Sequence, residues 1–152
     1  MYKLDKVYVY TDGASRGNPG RSASGFAIYN STDEIIKDAA IYNGIKTNNY
    51  AEYNAIILAL TWCKNNLDNS TEIILTSDSE LVIKQINGVY KIKSLILKQL
   101  NEEVLALAKF FKSIKFRNDL RTNPKIAYVD KKLNFLLDSI EKKEKKDRYY
   151  NE

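Results

Sequence analysis

The sequence predicts an α/β fold: a five-stranded mixed sheet with helices on both faces, in the order βββαβααβα. Three observations lead there. Residues 4–12, 23–30 and 34–43 alternate in the manner of strands and are separated by turn residues, which implies an antiparallel meander. Apolar residues at Ile56, Ala59, Leu60 and Cys63 fall on one helical face. After that helix, the apolar run Ile73-Ile74-Leu75 reads as a buried strand, so the later strands are reached through helices.

Residues 4–12 are rich in Val and Tyr, residue types that suit a pleated surface. Gly13-Ala14-Ser15-Arg16-Gly17-Asn18-Pro19-Gly20 reads as a loop because Gly, Asn and Pro crowd together. The second strand spans 23–30, Ser31-Thr32-Asp33 turns, and the third strand returns over 34–43. A helix is expected over 50–65, with Glu52 four residues before Ile56 and so on its apolar face. The fourth strand covers 71–77. A short helix from Ser79 to Ile86 ends at Asn87-Gly88, a C-cap dipeptide. A longer helix follows over 95–111, with Leu97, Leu100, Val104, Leu107 and Phe111 in one stripe. Residues 113–117 alternate as the fifth strand. A polar loop through Thr122-Asn123-Pro124 leads to the last helix, which Asp130 opens and along which Leu133, Leu137 and Ile140 align. The run from Glu141 to Glu152 is highly charged and reads as a solvated, frayed extension. One domain is expected over 1–145, with 146–152 as a charged C-terminal tail.

Composition narrows the chemistry. With 152 residues, 44% hydrophobic and 28% charged, the chain is long enough for one real core. No apolar run approaches a membrane span and no signal-peptide core is visible, so no membrane partner and a cytoplasmic location are expected. Cys63 is the single cysteine, so no intrachain disulfide forms, and it reads as a small buried apolar residue. The net charge of +5 favours a polyanionic partner. The chain contains 0 histidines, which excludes a His-based triad, a His-ligated zinc site and a histidine general base.

Four acids then stand out: Asp12, Glu52, Asp78 and Asp130. Each sits at the end of an element and beside an apolar face, where a carboxylate is costly unless compensated. Singly, each has a plain structural reading. Asp12-Gly13 suits a turn; Asn49 and Glu52 resemble a capping box; Asp78-Ser79 suits helix capping; Asp130 suits a helix N-terminus. Together they suggest one shared cation site, because crowded carboxylates repel unless metal neutralises them. All-oxygen ligands suit Mg²⁺ or Mn²⁺. Two such ions about 3.5–4 Å apart can drive phosphoryl transfer without a histidine.

The residues around these acids resemble known motifs. Tyr10-Thr11-Asp12-Gly13-Ala14-Ser15-Arg16-Gly17-Asn18-Pro19-Gly20 resembles the opening motif of type 1 ribonuclease H. Thr47-Asn48-Asn49-Tyr50-Ala51-Glu52-Tyr53 is similar to its second motif, Thr76-Ser77-Asp78-Ser79 to its third, and Tyr128-Val129-Asp130-Lys131-Lys132-Leu133-Asn134 to its fourth. The resemblance runs from residue 7 to about 138 and implies a ribonuclease H-like fold. It implies a metal-dependent endonuclease that cuts the RNA strand of RNA/DNA hybrids, with two Mg²⁺ or Mn²⁺ ions, leaving 3′-hydroxyl and 5′-phosphate ends. Asp12 would bridge both ions, Glu52 and Asp78 would complete the ion near the leaving group, and Asp130 would help hold the ion that activates water. Gly13, Ser15, Asn18, Asn48 and Asn49 would approach the hybrid, where 2′-hydroxyls distinguish RNA from DNA. The stretch from Gln85 to Lys93 is similar to the archaeal-type short form that lacks a basic handle, and Lys91 and Lys93 would then meet phosphates of the DNA strand.

The chain departs from the family pattern in the loop before Asp130. Many members place a histidine there; here Arg121 is the best stand-in, with Arg117 second. Ile126 stands where many members have Asn, and Val129 replaces a small residue. Other readings are the ribonuclease H domain of a reverse transcriptase, a duplex-binding module without activity, and a DNA or Holliday-junction nuclease on the same fold. The expected partner is an RNA/DNA hybrid, with other nucleic-acid duplexes as further candidates, and the expected state is a monomer.

Overall fold

The computed structural model describes residues 4–151. It contains β1 (Lys6–Gly17), β2 (Gly20–Tyr29), β3 (Ile35–Lys46), α1 (Asn48–Asn66), β4 (Glu72–Ser77), α2 (Glu80–Ile86), α3 (Leu95–Ala108), β5 (Ile114–Asn118) and α4 (Pro124–Asn151). The sheet order is β3-β2-β1-β4-β5. β1 pairs antiparallel with β2 and parallel with β4, and β4 pairs parallel with β5. β2 also pairs antiparallel with β3, so the expected meander and mixed sheet are present, with β1 at the centre between β2 and β4.

Alternation along the strands feeds two apolar layers. On one face Val7, Val9, Ile73 and Leu75 pack with Tyr53, Ile56, Leu60 and Cys63 of α1 and with Leu100 and Val104 of α3. On the other, Ala23, Ala27 and Tyr29 pack with Val129, Leu133 and Leu137 of α4. Cys63 lies in the first layer, and burial pushes its thiol up to about 12, as expected of an inert core residue. No helix of the described residues is long and apolar enough to cross a membrane.

Four expectations are corrected. The segment 13–20 is not a loop: β1 and β2 stay paired to Gly17↔Gly20, so only Asn18 and Pro19 turn the chain. Gly and Ser are weak strand formers, and the pairing that holds them is set by the neighbouring strands rather than by propensity. α3 stops at Ala108, and Phe111 is buried beyond its end. α4 begins six residues before Asp130, at Pro124. The side-chain oxygen of Asn123 accepts from the Lys125 backbone N–H at 2.9 Å, so Asn123-Pro124 is an N-cap followed by proline in the first turn, where its missing N–H costs nothing. Finally, the charged end continues as helix through Asn151. Glu152 and Met1 to Lys3 lie outside the described residues.

Candidate active site

Each acid arrives by a different element. Asp12 sits in the middle of β1, Glu52 in the second turn of α1, Asp78 just past the end of β4, and Asp130 about two turns into α4. Because β1 and β4 are adjacent and parallel, Thr11 pairs with Ser77 and the two aspartates follow at one edge. Carboxylate oxygens of Asp12, Glu52 and Asp78 all lie within 4.8 Å of one another. Asp130 comes from α4 on the other face, close enough that its charge helps raise the Asp12 carboxyl.

Two glycines make this convergence possible. A Cβ on Gly13 would lie 2.3 Å from the Ala51 carbonyl carbon and 2.4 Å from the Glu52 nitrogen, so α1 rests directly on the strand. On the opposite face a Cβ on Gly25, the register partner of Asp12, would lie 2.8 Å from Leu133 Cδ2 and 2.9 Å from the Ala39 carbonyl oxygen. The absence of side chains at these points lets α1 and α4 both close on Asp12. Ser24 adds a polar grip on the same peptide of α1: its hydroxyl donates to the Ala51 carbonyl at 2.6 Å. Asn43 donates to Ser24 at 2.8 Å, and Asn54 of α1 donates to Asn43 at 2.9 Å.

The site is electrostatically strained as it stands. Asp12 is 1% exposed and Glu52 3%. Gly13 N–H donates to Asp12 Oδ1 at 2.9 Å, but Asp12 Oδ2 and Glu52 Oε2 have no hydrogen-bond partner. Burial first, then the charges of Asp78 and Asp130, push Asp12 up to about 8. Burial first, then Asp12 and Asp78, hold Glu52 well above the usual carboxylate range. Unpartnered buried carboxylate oxygens that face one another are the donor set a hard divalent cation requires. The residues present thus fit a divalent metal.

Arg121 supplies positive charge at the rim. Its Nε donates to Asp78 Oδ2 at 3.1 Å while the rest of its side chain stays exposed, and its charge partly offsets the rise at Asp12. Arg117 lies in β5. Ile126 and Val129, the atypical residues of this region, are both fully buried core residues of α4.

The other expected binding residues are dispersed. Gly13 is buried against the start of α1, and its N–H donates to Asp12 Oδ1. The Ser15 hydroxyl is turned to the carbonyls of Gly17 and Lys46, bracing the hairpin against the end of β3. Asn18, at the hairpin tip, accepts the Asn48 backbone N–H at 3.0 Å, which joins two of the expected contacts into one exposed corner. Neither Asn48 nor Asn49 caps α1; Thr47 does, accepting from the Tyr50 N–H at 3.2 Å. The capping-box reading of Asn49 and Glu52 is therefore replaced, which leaves Glu52 free for the cluster. Lys91 and Lys93 are exposed in the segment between α2 and α3. Sequence reasoning missed Ser24, Asn43, Asn54 and Gly25. Gly25 carried a signal, since an isolated glycine inside a strand marks close approach of another element.

The family model described as RNase H matches residues 5–132. Ribonuclease HI of Halobacterium salinarum is 40% identical over 85 residues, which is 56% of this chain and 42% of that protein. The chain thus spans less than half the length of that curated relative. Among solved structures, RNase H1 from the same archaeon superposes with a TM-score of 0.80 at 33% identity, covering 88% of this chain and 98% of the other. LC11-RNase H1, isolated from compost, matches with a TM-score of 0.78 at 31% identity in its complex with an RNA/DNA hybrid, covering 84% and 94%. With the family model matching most of its length and its fold shared with solved RNase H1 structures, the chain belongs to the RNase H family.

Proposed function

We propose that this protein is a metal-dependent endonuclease that hydrolyses the RNA strand of RNA/DNA hybrids and leaves 3′-hydroxyl and 5′-phosphate ends. The observation that carries the reading is that carboxylate oxygens of Asp12, Glu52 and Asp78 lie within 4.8 Å of one another, while Asp12 and Glu52 each bury an oxygen with no hydrogen-bond partner. A module that only bound duplexes would gain nothing from so costly an arrangement. Asp12, Glu52, Asp78 and Asp130 would hold two ions, Mg²⁺ or Mn²⁺. Bound there, such ions activate water and stabilise the leaving oxygen of an in-line displacement.

The chain's own residues do the rest. Gly13 N–H fixes one oxygen of Asp12 and leaves the other to face the site. Gly13 and Ser24 together set the height of the Glu52 peptide above β1. Arg121 orients Asp78 and keeps the remainder of its guanidinium at the mouth of the site, where it can meet a phosphate. Asn18 and Asn48 form a polar corner suited to 2′-hydroxyls and base edges. Lys91 and Lys93 suit phosphates of the DNA strand. A cytoplasmic, monomeric enzyme is part of the same reading.

The test is cleavage of a labelled RNA/DNA hybrid, a DNA duplex and an RNA duplex with Mg²⁺, Mn²⁺ or EDTA. The hybrid should be cut in its RNA strand only when metal is present; an uncut hybrid in both metals would overturn the reading. Arg121→Ala should lower turnover on the order of 10²-fold, the scale of one lost electrostatic contact to the reacting phosphate. Its affinity for metal should not weaken, because the guanidinium and the cation compete for Asp78. Unchanged turnover would exclude Arg121 from catalysis.

A further inference from the structure

α4 is longer than its packing requires. Its last fully buried residue is Leu137, yet it continues as helix to Asn151. An exposed helical end of that length is not held by apolar burial and has to be held by something else. What holds it is the β1–β2 hairpin. Arg16, one register pair below the Gly17↔Gly20 pair at the tip, bonds Asp138 at 2.8 Å and Glu141 at 3.0 Å. Arg21, the register partner of Arg16, pairs with Glu144.

These contacts sort the charges. Glu141 and Glu144 are turned to the hairpin and neutralised there. Lys142, Lys143, Lys145 and Lys146 follow the i, i+1, i+3, i+4 spacing of a single helical face, and all four are exposed. Among the described residues, none of the four makes an ion pair, and exposed Arg148 extends the same basic end. Two of the three acids between Asp138 and Glu152 are held by the hairpin; exposed Asp147 is outnumbered by the four lysines and Arg148, and a dense cationic surface is left facing solvent.

Its position gives it a partner. α4 leaves the catalytic acids at Asp130 and runs alongside β1 to the hairpin that carries Asn18. At 1.5 Å per residue, the four lysines lie about 18–24 Å along the helix from Asp130. That is roughly five to seven base-pair steps of duplex at about 3.4 Å each. We infer that the end of α4 is a second, sequence-independent contact for the same RNA/DNA hybrid, taking its phosphates beyond the hairpin tip. This rests on the proposed hybrid substrate. It extends the footprint on the side of the hairpin, away from Lys91 and Lys93, so the chain would grip long hybrids more firmly than short ones.

The experiment replaces Lys142, Lys143, Lys145 and Lys146 together by Gln, which keeps helix propensity and removes only charge. Binding of hybrids of about 24 and about 8 base pairs is measured against salt in EDTA, and cleavage of both lengths is measured in Mg²⁺. On the long hybrid the slope of log affinity against log salt should fall by about 2–3, at roughly 0.9 per lost phosphate contact. On the short hybrid neither the slope nor the cleavage rate should change. An unchanged slope on the long hybrid, with wild-type protein still cutting both lengths, would overturn this inference and leave the proposed function standing. Equal losses on both lengths would also overturn it, since a general charge effect needs no contact at a distance. Wild-type protein that cuts neither hybrid would overturn the functional reading and this one with it.

Discussion

Asp12→Asn is expected to lower hybrid cleavage on the order of 10³-fold or more, and also to make the metal-free protein more heat-stable at pH 8. Both effects have one source. Asp12 is buried and faces Asp78 and Asp130, which pushes its carboxyl from 3.8 up to about 8. Between those values the folded protein keeps a proton that the unfolded chain has released. Folding then takes up a proton, so this group's contribution to stability falls as pH rises from about 4 to about 8. Asn carries no charge at either pH and removes that fall. A divalent cation should remove it from the wild type as well, by making the charged form of the cluster the favoured one. Melting temperatures of both proteins between pH 5 and pH 9, in EDTA and in Mg²⁺, measure this directly. If the two metal-free profiles run parallel, the electrostatic account of the cluster fails. If the variant cuts hybrid within tenfold of wild type, Asp12 is not at the reacting centre.

Gly13→Ala is the second large effect expected, and it acts through packing alone. The new methyl would sit 2.3 Å from the Ala51 carbonyl carbon and 2.6 Å from its oxygen, and both are helix backbone with no rotamer to change. α1 must lift or β1 must bend. Overpacking of this kind costs about 1–3 kcal/mol and sometimes more. The displacement also separates Glu52 from Asp12, so activity should fall further than stability does. Urea unfolding and cleavage at saturating metal distinguish the two losses. Stability within about 0.5 kcal/mol of wild type would show that α1 does not rest on Gly13 as described.

These two residues also show which parts of the site were legible in sequence. Asp12, Glu52 and Asp78 could be read because each is a charge at the end or on the apolar face of an element whose period is plain. Gly13 was placed in a loop because Gly, Asn and Pro crowd after it; only the pairing of β1 with β2 shows that the strand runs on. Asp130 was expected to open its helix because Asn123-Pro124 resembles a breaker, although the same dipeptide is equally a cap and a first turn. Ser24 and Asn43 gave no warning. A polar residue in a strand is unremarkable until its partner, 27 residues away in the case of Ser24 and Ala51, is known.

α1 is held by polar contacts on more than one side. Asn54 reaches Asn43 of β3, while its neighbour Tyr53 donates to Gln85 of α2 at 2.8 Å and accepts from Asn101 of α3 at 3.3 Å. These side chains tie one helix to the sheet and to two other helices within a single turn of Glu52. Such a helix cannot open by itself, because loosening it breaks bonds in three other elements at once. Its amides are expected to exchange with solvent only on global unfolding, which native-state hydrogen exchange would measure. A shift at the hairpin tip or in the Arg121 loop would therefore leave in place the carboxylate that α1 carries.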